Sequence, residues 1–344
     1  MHTPAPRSGI LAGGNWIVDH VKCIDAWPDQ DALASIQSES WCNGGSPYNI
    51  LKDLVRLGAT FPVEAVGLVG DDADGTRIIS DCSRHNIDVT QLHLTARAPT
   101  SYSDVMTDIG TGRRTFFHQR GANALLGLEH FDFTKTRARL FHLGYLLLLD
   151  RLDALDPANE NRPLAVEVFR RARAAGLRTS LDCVSARSDR FRTVIGPVLP
   201  EIDILFINDV ESEHLTGIAL RKGNRLQPDS VRRAAAALLA MGVRKWVIIH
   251  FPEGACAMGA DQQVIWQPSL RVPSTDIRGS SGAGDAFAAG VLHRLHEDAS
   301  ISGALLLGVS AAASCLYHAT SSEGVLSAAQ CLALSERLGF RAIP

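Results

Sequence analysis

A glycine-rich turn runs straight into an amphipathic helix at Gly279-Ser280-Ser281-Gly282-Ala283-Gly284-Asp285-Ala286-Phe287. Backbone amides at a helix start point outward without intrahelical partners, and the helix dipole adds positive potential there. Glycines let a phosphate approach such a backbone without obstruction from Cβ. Asp285, in the first turn, would then lie beside the bound anion. An anion cradle with a carboxylate alongside suits phosphoryl transfer to a hydroxyl, because the hydroxyl must lose its proton as it attacks phosphorus. The alternative account is purely structural, with Gly282 and Gly284 making a tight turn and Asp285 capping the helix. No GxxxxGK[ST] sequence occurs, so the turn is not a P-loop.

The elements that must position this turn follow from periodicity. Residues 8–18 are apolar and glycine-broken, and read as a first buried strand that delivers Asp19 at its tip. VKCIDAW and SIQSESW alternate with period two, as strands of a small sheet exposed on one face do, and SYSDVMTD and RRTFFHQ form a second strand pair. Ile50, Leu51, Leu54, Val55 and Leu57 follow helical spacing over 48–57, with Gly58 as the stop. Farther on, the apolar runs PVEAVGLVG, RLFHLGYLLL, LRTSLDCV, IDILFIN and KWVIIHF are predicted strands. GTRIISDCSRH, LAVEVFRRARAAG, SVRRAAAALLAMG, GAGDAFAAGVLHRLHE and SGALLLGVSAAASCLYHA are predicted helices. Such alternation predicts an α/β protein with a Rossmann-like, three-layer parallel sheet covered by helices, and ligands past the carboxyl ends of its strands. The polar stretches 156–163 and 221–230 are predicted loops, too short for linkers. One domain over 1–344 is expected, with a small β lid from about 19–43 and 97–121.

Composition narrows the partners. Net charge is −3 with no basic block, which argues against nucleic acid, and Arg170, Arg171 and Arg173 read as a solvated helix face. Seven scattered cysteines without a CxxC pair, and twelve histidines without HExxH spacing, predict reduced thiols and no structural zinc. No signal peptide is evident, and no stretch approaches the roughly 18 uncharged apolar residues that span a bilayer. A cytoplasmic protein without a membrane partner is expected.

GAGDAF and its small-residue helix resemble the second signature of the ribokinase-like (PfkB) carbohydrate kinases. Other segments agree with that family in order. Gly14-Asn15-Trp16-Ile17-Val18-Asp19 is similar to its opening strand, and Gly44-Gly45-Ser46-Pro47-Tyr48-Asn49 with Leu57-Gly58 to its first signature. Val69-Gly70-Asp71-Asp72-Ala73-Asp74-Gly75 is similar to its VGxDxxG stretch. Gly112-Arg113-Arg114-Thr115-Phe116 resembles its lid strand, and Gly121-Ala122-Asn123 the sequel. The run 203–211, with Asn208 and Glu211, resembles the strand ending in NxxE, and Leu215-Thr216-Gly217 follows. The resemblance covers about residues 10 to 325.

That resemblance implies an ATP-dependent kinase of a sugar or sugar-like alcohol. Asp285 would be the general base, and the amides of Gly282, Ala283 and Gly284 the anion hole. Asp19, Gly44, Gly45 and Asn49 would bind the acceptor. Asn208, Glu211 and Gly254 would face the nucleotide, with Glu211 organising Mg²⁺ largely through water. A nucleoside kinase of the same family, or a non-catalytic sugar-binding sensor on the same fold, is the alternative. Three positions depart from the family pattern: Gly279 where Asp is frequent, with Asp276 out of register; Phe251 ahead of Gly254; and Ile50-Leu51 after Asn49. Trp16, Trp27 and Trp41 fall near the expected substrate mouth, as stacking platforms or as lid and interface packing. Free strand edges on the lid predict a homodimer formed lid to lid.

Overall fold

A computed structural model of the chain describes residues 6–185 and 189–342. The first part holds β1 (Ile10–Gly14), β2 (Ile17–Ile24), β3 (Ile36–Gly44), α1 (Ser46–Leu57), β4 (Val63–Gly70), α2 (Ala73–Arg84) and β5 (Asp88–Thr95). There follow β6 (Ser101–Asp108), β7 (Arg114–Gln119), β8 (Leu140–Gly144), α3 (Asp150–Asp153), β9 (Leu155–Asp156) and β10 (Arg162–Pro163). The middle of the chain supplies α4 (Ala165–Ala174), β11 (Arg178–Asp182), β12 (Ile204–Asn208), α5 (Asp209–Thr216), β13 (Arg221–Lys222), β14 (Arg225–Leu226) and α6 (Pro228–Ala240). It closes with β15 (Trp246–Phe251), β16 (Gly254–Gly259), β17 (Val264–Pro268), α7 (Ala283–His296), α8 (Ile301–Cys315) and α9 (Ala328–Leu338).

Nine strands form the main sheet in the order β17-β16-β15-β12-β11-β8-β1-β4-β5. From β5 to β15 every neighbouring pair is parallel, and β16 and β17 complete one edge antiparallel. Burial on both faces explains the continuous apolar runs. In β12, Leu205 and Ile207 enter one core while Ile204 and Phe206 enter the other, the period of two expected of a pleated strand. One core takes its helical share chiefly from α4 and α6, with Phe169 and Leu238, and adds Leu152 of α3 and Leu215 of α5; the other takes it from α1, α2, α7, α8 and α9, with Leu54, Ile78, Val291 and Leu305. The expected three-layer α/β architecture is therefore present.

A separate sheet, β3-β2-β6-β7, covers the residues expected to form a lid. Its strand pairs match the alternating segments, with β2 and β3 antiparallel and β6 and β7 antiparallel.

Several boundaries differ from expectation. The first strand does not run to Asp19: β1 stops at Gly14, and Asp19 sits in lid strand β2. The interruption is Trp16, fully buried, whose backbone N–H and C=O are both held by the Asn123 amide at 3.2 and 3.1 Å. β8 ends at Gly144 rather than continuing through the leucines. Asp153 there accepts hydrogen bonds from the N–H groups of Leu147 and Leu149, both at 3.0 Å, and turns the chain. The two predicted loops contain the ladders β9–β10 and β13–β14. Among the described residues no helix is long and apolar enough to cross a membrane, and all seven cysteines are free.

Candidate active site

α7 begins at Gly282, whose φ of 78° lies in the left-handed region and where a Cβ would collide with the Ser321 carbonyl. No side chain caps this helix start; Ala283 N donates to the Ser280 carbonyl at 3.3 Å, a long bond that a bound anion would compete for. Asp285, three residues on, is buried. Asn49 Nδ2 donates to its Oδ2 at 2.7 Å, and the Tyr145 hydroxyl donates to Oδ1 at 2.9 Å and reaches Oδ2 at 3.1 Å. Burial raises the Asp285 carboxyl to about 6, while hydrogen bonds from Asn49, Tyr145 and Ser46 pull it down.

Asn49 is brought there by α1, which starts at Gly45 with Pro47 in its first turn. Its amide oxygen accepts from Ser321 Oγ at 2.8 Å, so both ends of the amide are engaged. Asn49 thus holds the Asp285 carboxylate. Gly44 lies against the other carboxylate: a Cβ there would stand 2.7 Å from Asp19 Oδ2. Asp19 is raised to about 6, chiefly by burial, and the charge of Asp285 adds to the rise. Asp19 and Asp285 therefore share one electrostatic environment, Asp19 from the lid and Asp285 from the main body. Arg114 on β7 reaches over from the lid, donating to Ser281 Oγ at 2.6 Å and to the Ala319 carbonyl at 3.3 Å.

Two clefts meet beside α7 and share Asn208, His250 and Gly284. The smaller, about 220 Å³, is bounded by Asp285, Gly282, Tyr145, Asp182 and Glu211. The larger, about 430 Å³, is walled by Gly254, Phe251, Leu270, Val272, Phe287 and Leu316, an apolar slot of nucleobase size. Phe251 does not stand across this slot; it is buried and packs on Trp266, with ring centroids 6.1 Å apart. Asn208 caps α5, its Oδ1 accepting from Glu211 N at 2.9 Å while Glu211 Oε2 accepts from Asn208 N at 3.0 Å. Burial pushes Glu211 up to about 7. Asp182 is also held well above its ordinary value, first by burial and then by the charges of Asp285 and Glu211.

Comparison with known proteins decides the family. The model of the pfkB family carbohydrate kinases matches residues 14–326. This chain belongs to the pfkB family of carbohydrate kinases. Fructokinase-1 of Oryza sativa subsp. japonica is 27% identical over 301 residues, covering 85% of this chain and 84% of its own. An ATP-dependent ribose-1-phosphate kinase of Halopiger xanaduensis is 25% identical, over 86% of this chain and 88% of its own. Among solved structures, Thermotoga maritima ribokinase superposes with a TM-score of 0.78 at 19% identity, covering 96% of this chain and 99% of that one. Arabidopsis thaliana ribokinase complexed with ribose and ATP gives 0.77 at 21% identity, with coverages of 97% and 99%. The fold is ribokinase-like, and the protein is an enzyme, a carbohydrate kinase.

Within this kinase the VGxDxxG stretch has a structural role. Asp72 of the VGDDADG stretch caps α2 by accepting from Gly75 N at 2.8 Å and ties that helix to Thr100 at the entrance to β6. None of these three tryptophans lines either cleft. Trp16 is in the core with its indole on the Val66 carbonyl at 3.1 Å, Arg77 lies 3.7 Å over the Trp41 ring, and Trp27 stacks on Phe117. Sequence reasoning missed Tyr145 and Asp182. Each stands at or just past the carboxyl end of a parallel strand, β8 and β11, where α/β sheets bind ligands.

Proposed function

We propose that this carbohydrate kinase transfers the γ-phosphoryl group of MgATP to a hydroxyl of an uncharged sugar. Asp285 acts as general base, and the amides of Gly282, Ala283 and Gly284 hold the charge on the moving group. The observation that carries the reading is the uncapped start of α7 with the buried Asp285 carboxylate beside it, coupled electrostatically to Asp19. Asp285 takes the acceptor proton while the acceptor oxygen bonds to phosphorus and the bond to the ADP oxygen breaks. A preorganised donor of the anion-hole kind contributes roughly 10²–10³ in rate. Asp19, Gly44 and Gly45 form the acceptor side, with Asn49 orienting the base. The larger cleft takes the nucleobase against Gly254, and the smaller takes the phosphates.

Mg²⁺ fits the oxygen donors of Asn208 and Glu211. Burial, with the Asp209 charge adding to it, holds the Glu211 carboxyl high, and burial with the charges of Asp285 and Glu211 holds Asp182 high, a state that a cation relieves. Mg²⁺ usually keeps several waters, so a few protein oxygens suffice to hold it beside a nucleotide. When bound with the nucleotide it would neutralise phosphate charge. The acceptor is uncharged because a sugar phosphate would set its anion beside Asp19 and Asp285, whereas Arg114 is already bonded to Ser281 and Ala319. Seven free thiols and an ATP-dependent reaction support a cytoplasmic setting.

A panel of sugars, polyols, nucleosides and sugar phosphates, each with MgATP and coupled ADP detection, tests the reading. Turnover with a neutral sugar is expected. Turnover confined to nucleosides or phosphorylated sugars overturns the acceptor class. Sugar-induced thermal stabilisation without ADP release would instead mark a sensor.

The lid edges leave Trp41, Phe116 and Phe117 more than half exposed, at 57%, 57% and 51%. Pairing of lids in a homodimer would cover them, with one kinase domain per chain. Light scattering at micromolar concentration should report a dimer, and a monomer there rules it out.

A further inference from the structure

Tyr145 lies within 2.9 Å of one oxygen of Asp285 and 3.1 Å of the other, and no motif accounts for it. Its backbone is fixed by the Asn15 side chain, which accepts from Tyr145 N. Burial and the charges of Asp285, Asp182 and Glu211 raise the phenol well above its ordinary value, so it stays protonated. A neutral O–H among carboxylates donates a hydrogen bond without adding a competing charge.

We propose that Tyr145 is a positioning residue for the base: its O–H bridges both oxygens of Asp285, keeping the carboxylate anionic and in one orientation as the acceptor hydroxyl arrives. The proposal rests on Asp285 being the base. Its physical need is clear from the surroundings. The charges of Asp53 on α1, Asp182 at the end of β11 and Asp19 on β2 interact with that of Asp285, and Glu211 on α5 lines the same cleft. His250 on β15 is held neutral, lowered to about 4 by burial. The positive charge that approaches is Arg114, bonded to Ser281 rather than to Asp285. The thiols of Cys183 and Cys315 are pushed up by burial and stay neutral. Against burial, the restraint on Asp285 comes from three donors: Asn49, Tyr145 and Ser46. Ser46 is shared with His142 at 3.3 Å.

Donors to a carboxylate favour its ionised form, so removing one raises the proton affinity of the group. In Tyr145→Phe the acid limb of kcat/KM, which reports the free base, should move to higher pH by about one unit, roughly tenfold in proton affinity. Activity on the plateau should fall much less. Replacing Tyr145 with 3-fluorotyrosine, a stronger donor of the same shape, should move the limb to lower pH. A uniform loss at every pH with the limb unmoved overturns the proposal. Asp285 is also titrated directly by carboxyl ¹³C NMR, assigned through Asp285→Asn. An unchanged midpoint in Tyr145→Phe refutes the proposal whatever the turnover. Near-normal activity of Asp285→Asn would instead defeat the base assignment, so the two failures are distinct.

Discussion

Two helices of this kinase begin in the same way on paper and differently in space. α5 starts at Asn208 with Glu211 three residues on, and α7 starts at Gly282 with Asp285 three residues on. In α5 the circuit is closed: Asn208 accepts from Glu211 N, and Glu211 reaches back to Asn208 N, a capping box that satisfies the helix start internally. In α7 the first residue has no side chain to cap with, and Asp285 does not turn back to its own helix. Asn49 from α1 and Tyr145 from beyond β8 hold it outward. On the proposed reading, a helix start becomes a reactive site when its cap is withheld and its acid is held by residues from elsewhere in the fold.

The sharpest test of that contrast is to neutralise the two acids in turn. Asp285→Asn keeps the shape and one acceptor oxygen but cannot accept a proton, so kcat should fall by roughly 10²–10⁴ with acceptor KM little changed. Glu211→Gln keeps most of the capping geometry and removes a charge that, on the proposed reading, serves the nucleotide side. Its main effect should be a raised requirement for Mg²⁺ and a higher KM for ATP, with a much smaller loss of kcat. Steady-state kinetics at varied Mg²⁺ separates them. Equal losses in kcat from both variants would erase the distinction between the two helix starts.

This difference also marks what a reader of the sequence alone reaches. Asp285, Gly282 and Gly284 stand out because a glycine-rich turn before a helix is a local pattern, and Asp19, Gly44 and Gly45 because they sit in equally local runs. The sheet was legible from its apolar strands, since burial on both faces leaves no polar position to break the run. The first strand was overextended because the break at Trp16 depends on Asn123, a hundred residues away, which no local window contains. The contact of Asn49 with Asp285 is not legible in the sequence because the two are 236 positions apart. Tyr145 and Asp182 are single residues at strand ends, without spacing to announce them. The antiparallel edge of β16 and β17 was missed because its strands, GACAMG and VIWQP, are short and follow one another closely.

The smallest expected effect probes the closed member of the pair. In Asn208→Ala, α5 loses the acceptor for Glu211 N and the donor that binds Glu211 Oε1 at 2.8 Å. Loss of such a cap costs about 1 kcal/mol of stability, which denaturant unfolding resolves as a lower midpoint at unchanged slope. Because Glu211 keeps its Ser185 contact at 2.9 Å, the carboxylate stays near the smaller cleft. Turnover at saturating MgATP should therefore change only a fewfold, with the loss appearing in KM for ATP. A large fall in kcat with stability untouched would mean that Asn208 acts on the transferring phosphate itself, and α5 would join α7 as a working helix start.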